Sequence, residues 1–233
     1  MRSLLGSSAL AAAALATLAC SGTHALTPTE RRLGYCRDQT PSLIAAQGEP
    51  TDPAAPLTEQ AIEGSACNAV ERSYAIEDHS HVPVCDPVAY GSNPPSSGHH
   101  YPIFPEYRVY DDAIPSGFWV HSLEHGGVVF TYSCTDCDDE VSQAEALVVE
   151  TEPAPACCTA EGCPSTATNQ LLMTPDPGLS TRWAASSWGF TLTADCFEPE
   201  IFQNFASAHR DNGAPETVCE NTYATDVARP GPD

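Results

Sequence analysis

Eleven cysteines in 233 residues set the first limit on how this chain can fold. An odd number cannot pair completely. Cys20 stands apart, directly after an N-terminal apolar stretch. The other ten are Cys36, Cys67, Cys85, Cys134, Cys137, Cys157, Cys158, Cys163, Cys196 and Cys219, which can pair fully. Such a set belongs in an oxidising compartment, where disulfides persist. "CTDC" and "CCTAEGC" concentrate five of them. In a cytosolic chain that spacing would suggest zinc, whereas in an exported one it favours disulfides. A redox-active C-x-x-C is disfavoured, because no thioredoxin-like βαβ pattern surrounds Cys134. Neighbours rarely bond to each other, so Cys157 and Cys158 are expected to reach different partners, and one of the five must reach outside the cluster. Cys196 and Cys219 flank a helical stretch and form a reasonable pair, worth about 3 kcal/mol in the chain-entropy picture.

The start, "MRSLLGSSALAAAALATLAC", has one Arg, an uncharged apolar run and then small residues, the layout of a secretory signal. It is too short and Ala-rich for a membrane span. "ATLAC" places Cys20 as in a bacterial lipoprotein cleavage site, although Thr17 stands where Leu is more usual. Cleavage after Ala25 in "THA" is the alternative. Cysteine parity favours Cys20, which would carry the lipid and anchor the chain to a membrane. Ser21 then suggests the outer membrane. Charge fits a solvated exterior: 31 acidic residues face 9 arginines, with no lysine. That balance repels nucleic acid, whose binding needs cationic contacts to phosphate, and it repels anionic lipid surfaces. No protein partner can be read from it.

Along the chain the expected organisation is a signal peptide at 1–19, a lipid-anchored linker and partly ordered region at 20–83, a compact domain at 84–220 and a disordered tail at 221–233. A helix start is expected at Thr27 with Pro28 at its first position. Residues 58–78, "TEQAIEGSACNAVERSYAIED", promise a short helical piece at best. "FWV" and "VVFTY" look like strands. "DDEVSQAEALVVE" has helical spacing, as does "FEPEIFQNFASAHRD". "ATNQLLMTP" and "TRWAASSWGFTLTADC" suggest a strand and a strand pair. The sum is a single α+β domain, with a small mainly antiparallel sheet, a few helices and several disulfides.

"WVHSLEHGGVVF" raises the functional question. On a helix, His121, Glu124 and His125 share one face, the arrangement of an inverted zinc-protease motif. Gly126 and Gly127 on one side, and Pro115 and Gly117 on the other, argue against a long helix. On a single strand the two imidazoles lie about 13 Å apart and cannot share an ion. Two strands joined by "SLE" would bring His121, Glu124 and His125 together. "GSNPPSSGHHYP" supplies a further ligand, with only one of His99 and His100 facing the site. His79 and His81 in "EDHSH" share a face if extended, but their polar setting suggests exposure to solvent. A hydrogen-bonded network without metal explains the same residues equally well.

"YGSNPPSSGHHYP" followed by "PSGFWVHSLEHGGVVFTY" resembles the bacterial family called domain of unknown function 3105, which carries N-P-P-x-S-G-x-H-Y and H-x-L-E-H-G stretches. The resemblance extends more weakly through "AASSWGF" and "HRDNGAPE", over roughly residues 84–218. Carried onto this chain, the family's polar positions are His100, His121, Glu124 and His125; His99 replaces a usual Pro, and the Cys-rich stretch at 134–163 is atypical. The resemblance implies an exported or membrane-tethered domain and no established activity. The leading expectation is therefore a non-enzymatic envelope lipoprotein that binds zinc or copper through His100, His121 and His125, with Glu124 as ligand or as a neighbour hydrogen-bonded to one. The alternatives are a metal-dependent hydrolase with Glu124 as general base, and an interaction scaffold without metal.

Overall fold

The computed structural model describes residues 53–219. The signal region, Cys20, Cys36, the helix start expected at Thr27 and the tail at 221–233 lie outside the described residues. The elements are β1 (Thr58–Ala61), β2 (Val70–Ser73), α1 (Ser116–Glu124), β3 (Val128–Tyr132), α2 (Asp138–Glu150), a short 3₁₀ turn at Pro155–Cys157, β4 (Leu171–Pro175), β5 (Trp183–Ser187), β6 (Phe190–Ala194) and α3 (Pro199–His209). The strands form one six-stranded sheet in the order β1-β2-β6-β5-β3-β4. Only β3 and β4 run parallel, joined through α2; every other neighbouring pair is antiparallel. The expected α+β class with a mainly antiparallel sheet is what the chain forms.

Both faces of the sheet are covered, because side chains alternate along each strand. Val128 and Phe130 of β3 point with Trp183, Ala185, Leu192 and Met173 toward Ala144 and Val148 of α2 and Phe202 and Phe205 of α3. Val129 and Leu172 point the other way, into a second core with Tyr101, Tyr107, Phe118, Trp119, Val120 and Leu123. β3 and β4 are thus apolar on both sides, which is why "VVFTY" and "QLLMT" read as near-continuous runs. The helices expected at 138–150 and 197–211, the strand in 167–175 and the strand pair in 181–196 are all present.

Three sequence expectations change. Residues 58–73 form a β-hairpin whose second strand pairs with β6, not a helical piece. "FWV" lies in α1, not in a strand. All nine residues of α1 are buried, so it shows no polar stripe, as expected of a helix enclosed on every side. Its β-branched and aromatic content reflects packing rather than strand pairing. Cys196 pairs with Cys67, and Cys219 with Cys157, rather than with each other. The intervening α3, 11 residues and about 16 Å long, holds them apart. Cys134 bonds to Cys137 and Cys158 to Cys163, so the vicinal cysteines do reach different partners. Cys85 is also disulfide-bonded.

Loop size ranks these bridges. Cys67–Cys196 spans 129 positions and Cys158–Cys163 only 5. In the chain-entropy picture they stabilise by about 5 and about 2 kcal/mol. Double serine variants compared by denaturant unfolding should therefore show the larger loss for Cys67 and Cys196, with a lower midpoint and a changed slope.

Candidate metal centre

α1 is short because its ends are fixed chemically. Its first turn follows Pro115, and a Cβ on Gly117 would lie 2.6 Å from the Tyr101 ring. Only glycine lets the incoming segment approach this closely, and Tyr101 N–H then donates to Gly117 O at 2.7 Å. At the other end Gly126 adopts φ +85°. Gly127 N–H reaches Ser122 O at 2.8 Å and Gly126 N–H reaches Leu123 O at 3.0 Å, the paired bonds of a Schellman ending. The glycines that argued against a long helix close a short one. Glu124 O and His125 O, otherwise orphaned at the helix end, accept from Glu216 N–H and Val218 N–H. Gln170 Nε2 also donates to His125 O, at 3.1 Å.

The helix therefore presents His121 and Glu124 inward. His100 comes from the Pro-rich loop, after Gly98 at φ +118°. His99, its neighbour, points outward to Ser80, as adjacent extended residues must. His81 runs beside His100 in a parallel bridge. One donor atom from each of His81, His100, His121 and Glu124 lies within 4.8 Å of all the others. The three imidazole centroids are 4.7, 4.9 and 5.0 Å apart.

Hydrogen bonds fix the tautomers. His100 Nδ1 lies 2.9 Å from Gly98 O, and His121 Nδ1 lies 2.7 Å from Tyr101 O. A carbonyl only accepts, so each Nδ1 carries a proton, and Nε2 is the ring nitrogen left to face other groups. His100 Nε2 is buried without a hydrogen-bond partner, yet sits 3.0 Å from Glu124 Oε2. At that distance the ring and the carboxylate form an ion pair when His100 is protonated, and can share a cation when it is not. The other carboxylate oxygen, Oε1, is 2.7 Å from His79 Nδ1, and the half-exposed His79 ring stands edge-on to Trp188 in the β5–β6 turn.

Charge states fit a cation. Burial, with the neighbouring His125 and His100, pushes the His121 pKa down to about 3. Burial lowers His81 in the same direction, again with His100 beside it. For Glu124, burial works against the carboxylate, but the imidazoles of His100 and His79 more than offset it and hold the pKa at about 2. Unprotonated imidazoles and an ionised carboxylate are the forms that ligate metal.

His125 is not part of this group. It stacks on His121 at 4.6 Å and against Phe104, and its Nδ1 is buried 3.3 Å from Glu216 Oε2. The two-strand geometry expected for these residues is replaced by one helical face plus two extended segments. His81, expected to be merely solvent-exposed, is exposed and also joins the donor group. Its signal was the i, i+2 spacing with His79, which places both rings toward the site.

Fold and site together define a disulfide-bonded α+β domain with a histidine–glutamate group that could hold a metal ion. The chain belongs to the family described as "Protein of unknown function (DUF3105)", whose model matches residues 81–222 and so includes all four candidate donors. The β1–β2 hairpin lies upstream of the match. No curated protein and no solved structure matches the chain.

The His121 shift predicts a pH dependence. Its folded pKa lies below the unfolded value, so the unfolded state binds the extra proton. Stability is complete above about pH 6.5 and falls as pH drops toward 3, by up to about 1.4 kcal/mol per pH unit for one proton. Unfolding of metal-free protein across that window should show the fall, and His121→Asn should have a slope shallower by about one proton.

Proposed function

We propose that this is an exported cell-envelope protein that holds one transition-metal ion, zinc or copper, through His81, His100, His121 and Glu124. One observation carries the reading: one donor atom from each of these four residues lies within 4.8 Å of all the others. His100 Nε2 is buried 3.0 Å from Glu124 Oε2, and a cation between these two would serve both. Backbone carbonyls behind two of the rings supply the orienting bonds that metal-bound histidines typically have. The donor set is imidazole nitrogen and carboxylate oxygen without sulfur, which suits Zn²⁺ and Cu²⁺ better than Cu⁺.

A metal-dependent hydrolase with Glu124 as general base has less support. One oxygen of Glu124 is bonded to His79 and the other faces His100, so both are held by imidazoles rather than turned to an open cleft. A scaffold without metal would hold the same residues by a His100–Glu124 ion pair and the His79 hydrogen bond, and metal analysis separates the two readings.

Purified wild-type protein should carry or take up one equivalent of Zn²⁺ or Cu²⁺ by elemental analysis. At a hundredfold excess over Kd, binding adds about 2.7 kcal/mol, a rise of about 5–10 °C in Tm for a domain of this size. His100→Ala and His121→Ala should lose both effects, whereas His125→Ala should keep them. Absence of metal and of any thermal shift in the wild type overturns the reading.

Export follows from the disulfides, which suit an oxidising compartment. Among the described residues no helix is long and apolar enough to cross a membrane; in this reading a lipid on Cys20 attaches the chain. Cys20→Ala should move the protein from the membrane fraction to the soluble fraction and abolish lipid labelling. Unchanged fractionation would favour cleavage after Ala25.

A further inference from the structure

We infer that the Cys134–Cys137 disulfide is a redox site that exchanges with dithiols on neutral or basic protein surfaces, rather than a brace for the fold. The inference is independent of the metal reading.

The place of the pair in the fold carries it. The sequence disfavours a redox role for want of a βαβ pattern around Cys134, and the fold supplies that pattern. β3 ends at Tyr132, the cysteine pair follows, and α2 starts at Asp138. The chain then returns in β4, parallel to β3 and paired with it. Cys137 is the N-cap residue of the 13-residue α2, and no side chain caps that end. The first N–H groups of a helix have no partner within it, and a thiol beside them has a lowered pKa. The bridge also contributes little to holding the chain. Its sequence separation of 3 is smaller than those of Cys67–Cys196, Cys157–Cys219 and Cys158–Cys163, and the entropic gain shrinks with the loop. Cys158–Cys163 is the natural control. It is also short and Cys163 is exposed, but Cys158 sits at the carbonyl end of a 3₁₀ turn, where no free N–H groups await a thiolate.

Access sets the order of events. Cys137 is 5% exposed and belongs to the main core, whereas Cys134 is only partly buried at its edge. An incoming thiolate therefore meets Cys134. It attacks Cys134 Sγ, the Cys134–Cys137 bond breaks, and the electron pair leaves on Cys137 Sγ at the start of α2. A leaving thiolate of low pKa speeds such exchange. The partner's second thiol then loses its proton and displaces Cys134 from the mixed disulfide. The partner ends as a disulfide, and Cys134 and Cys137 end as two thiols that have taken up its two electrons and two protons. Neighbouring charge selects the partner. Arg182 engages Asp136 and Glu140 at 2.8 and 3.2 Å, while Asp138 and Asp139 remain exposed. These two carboxylates, on a chain of net charge −22, repel anionic thiols.

The test is graded reduction of the full-length oxidised protein with dithiothreitol, followed by alkylation and mass mapping of the labelled cysteines. Cys134 and Cys137 are expected to be labelled first, at a dithiothreitol concentration about tenfold below that needed for any other pair, with the near-ultraviolet spectrum of the folded protein kept. Labelling of Cys158 and Cys163 at the same or a lower concentration reduces the effect to exposure and overturns the inference. Survival of the Cys134–Cys137 bond until the fold itself is lost also overturns it. In Cys137→Ser, the free Cys134 should form a mixed disulfide faster with cystamine, which is cationic, than with glutathione disulfide, which is anionic, and added salt should narrow the gap. Faster reaction with glutathione disulfide overturns the choice of partner.

Discussion

Two backbone carbonyls decide what the histidines of this protein can do. Gly98 O and Tyr101 O each accept from an imidazole Nδ1. A ring whose Nδ1 is committed has only Nε2 to offer; His100 directs that atom at Glu124, and His121 joins the same donor group. Four consecutive residues, 98–101, thus fix two rings that are distant in sequence. Their own position depends on Gly117, because a side chain there would collide with Tyr101. The chemistry of the site is therefore written in main-chain geometry as much as in the choice of histidine.

The helix that carries His121 and Glu124 has no stabilising surface of its own. It is nine residues long and buried on all sides, and isolated helices of that length are marginal in water. Packing against Val129, Leu172 and the tyrosines holds it, and full burial of side chains such as Trp119 and Leu123 contributes about 1.5–3 kcal/mol each. Its C-terminal carbonyls depend on the segment at 216–218, which the Cys157–Cys219 bridge keeps nearby. Disulfide, strap and helix end form one connected support. That connection gives the atypical cysteine stretch a structural purpose next to the site, although it supplies none of the donors.

The periodic elements were legible because their patterns are local. α2 and α3 show helical spacing on an amphipathic face, and β3 to β6 show apolar runs bounded by turn residues. The hairpin at 58–73 was not legible, since β1 is polar and exposed and gains its order by adding to an edge. α1 was misread for the opposite reason. "FWVHSL" favours strands by propensity, and tertiary burial overrides it. At the site, His100, His121 and Glu124 stood out from motif and resemblance. His81 left only its i, i+2 spacing with His79, because its partners in the donor group are 19 and 40 or more positions away.

The places where local rules fail are those that surround the donors. A β-prone segment is forced into a helix, and a buried imidazole nitrogen meets a carboxylate at 3.0 Å. Natural sequences concentrate such conflicts at functional positions and compensate elsewhere; here the compensation is the doubly covered sheet and its disulfides. The strongly acidic chain adds a long-range contribution, because a net charge of −22 raises the local concentration of cations around the molecule. Within that field His81 is exposed while His100 and His121 are buried, so the candidate donors run from solvent inward. Any selection among cations would rest on the few atoms whose geometry the Gly98 and Tyr101 carbonyls enforce.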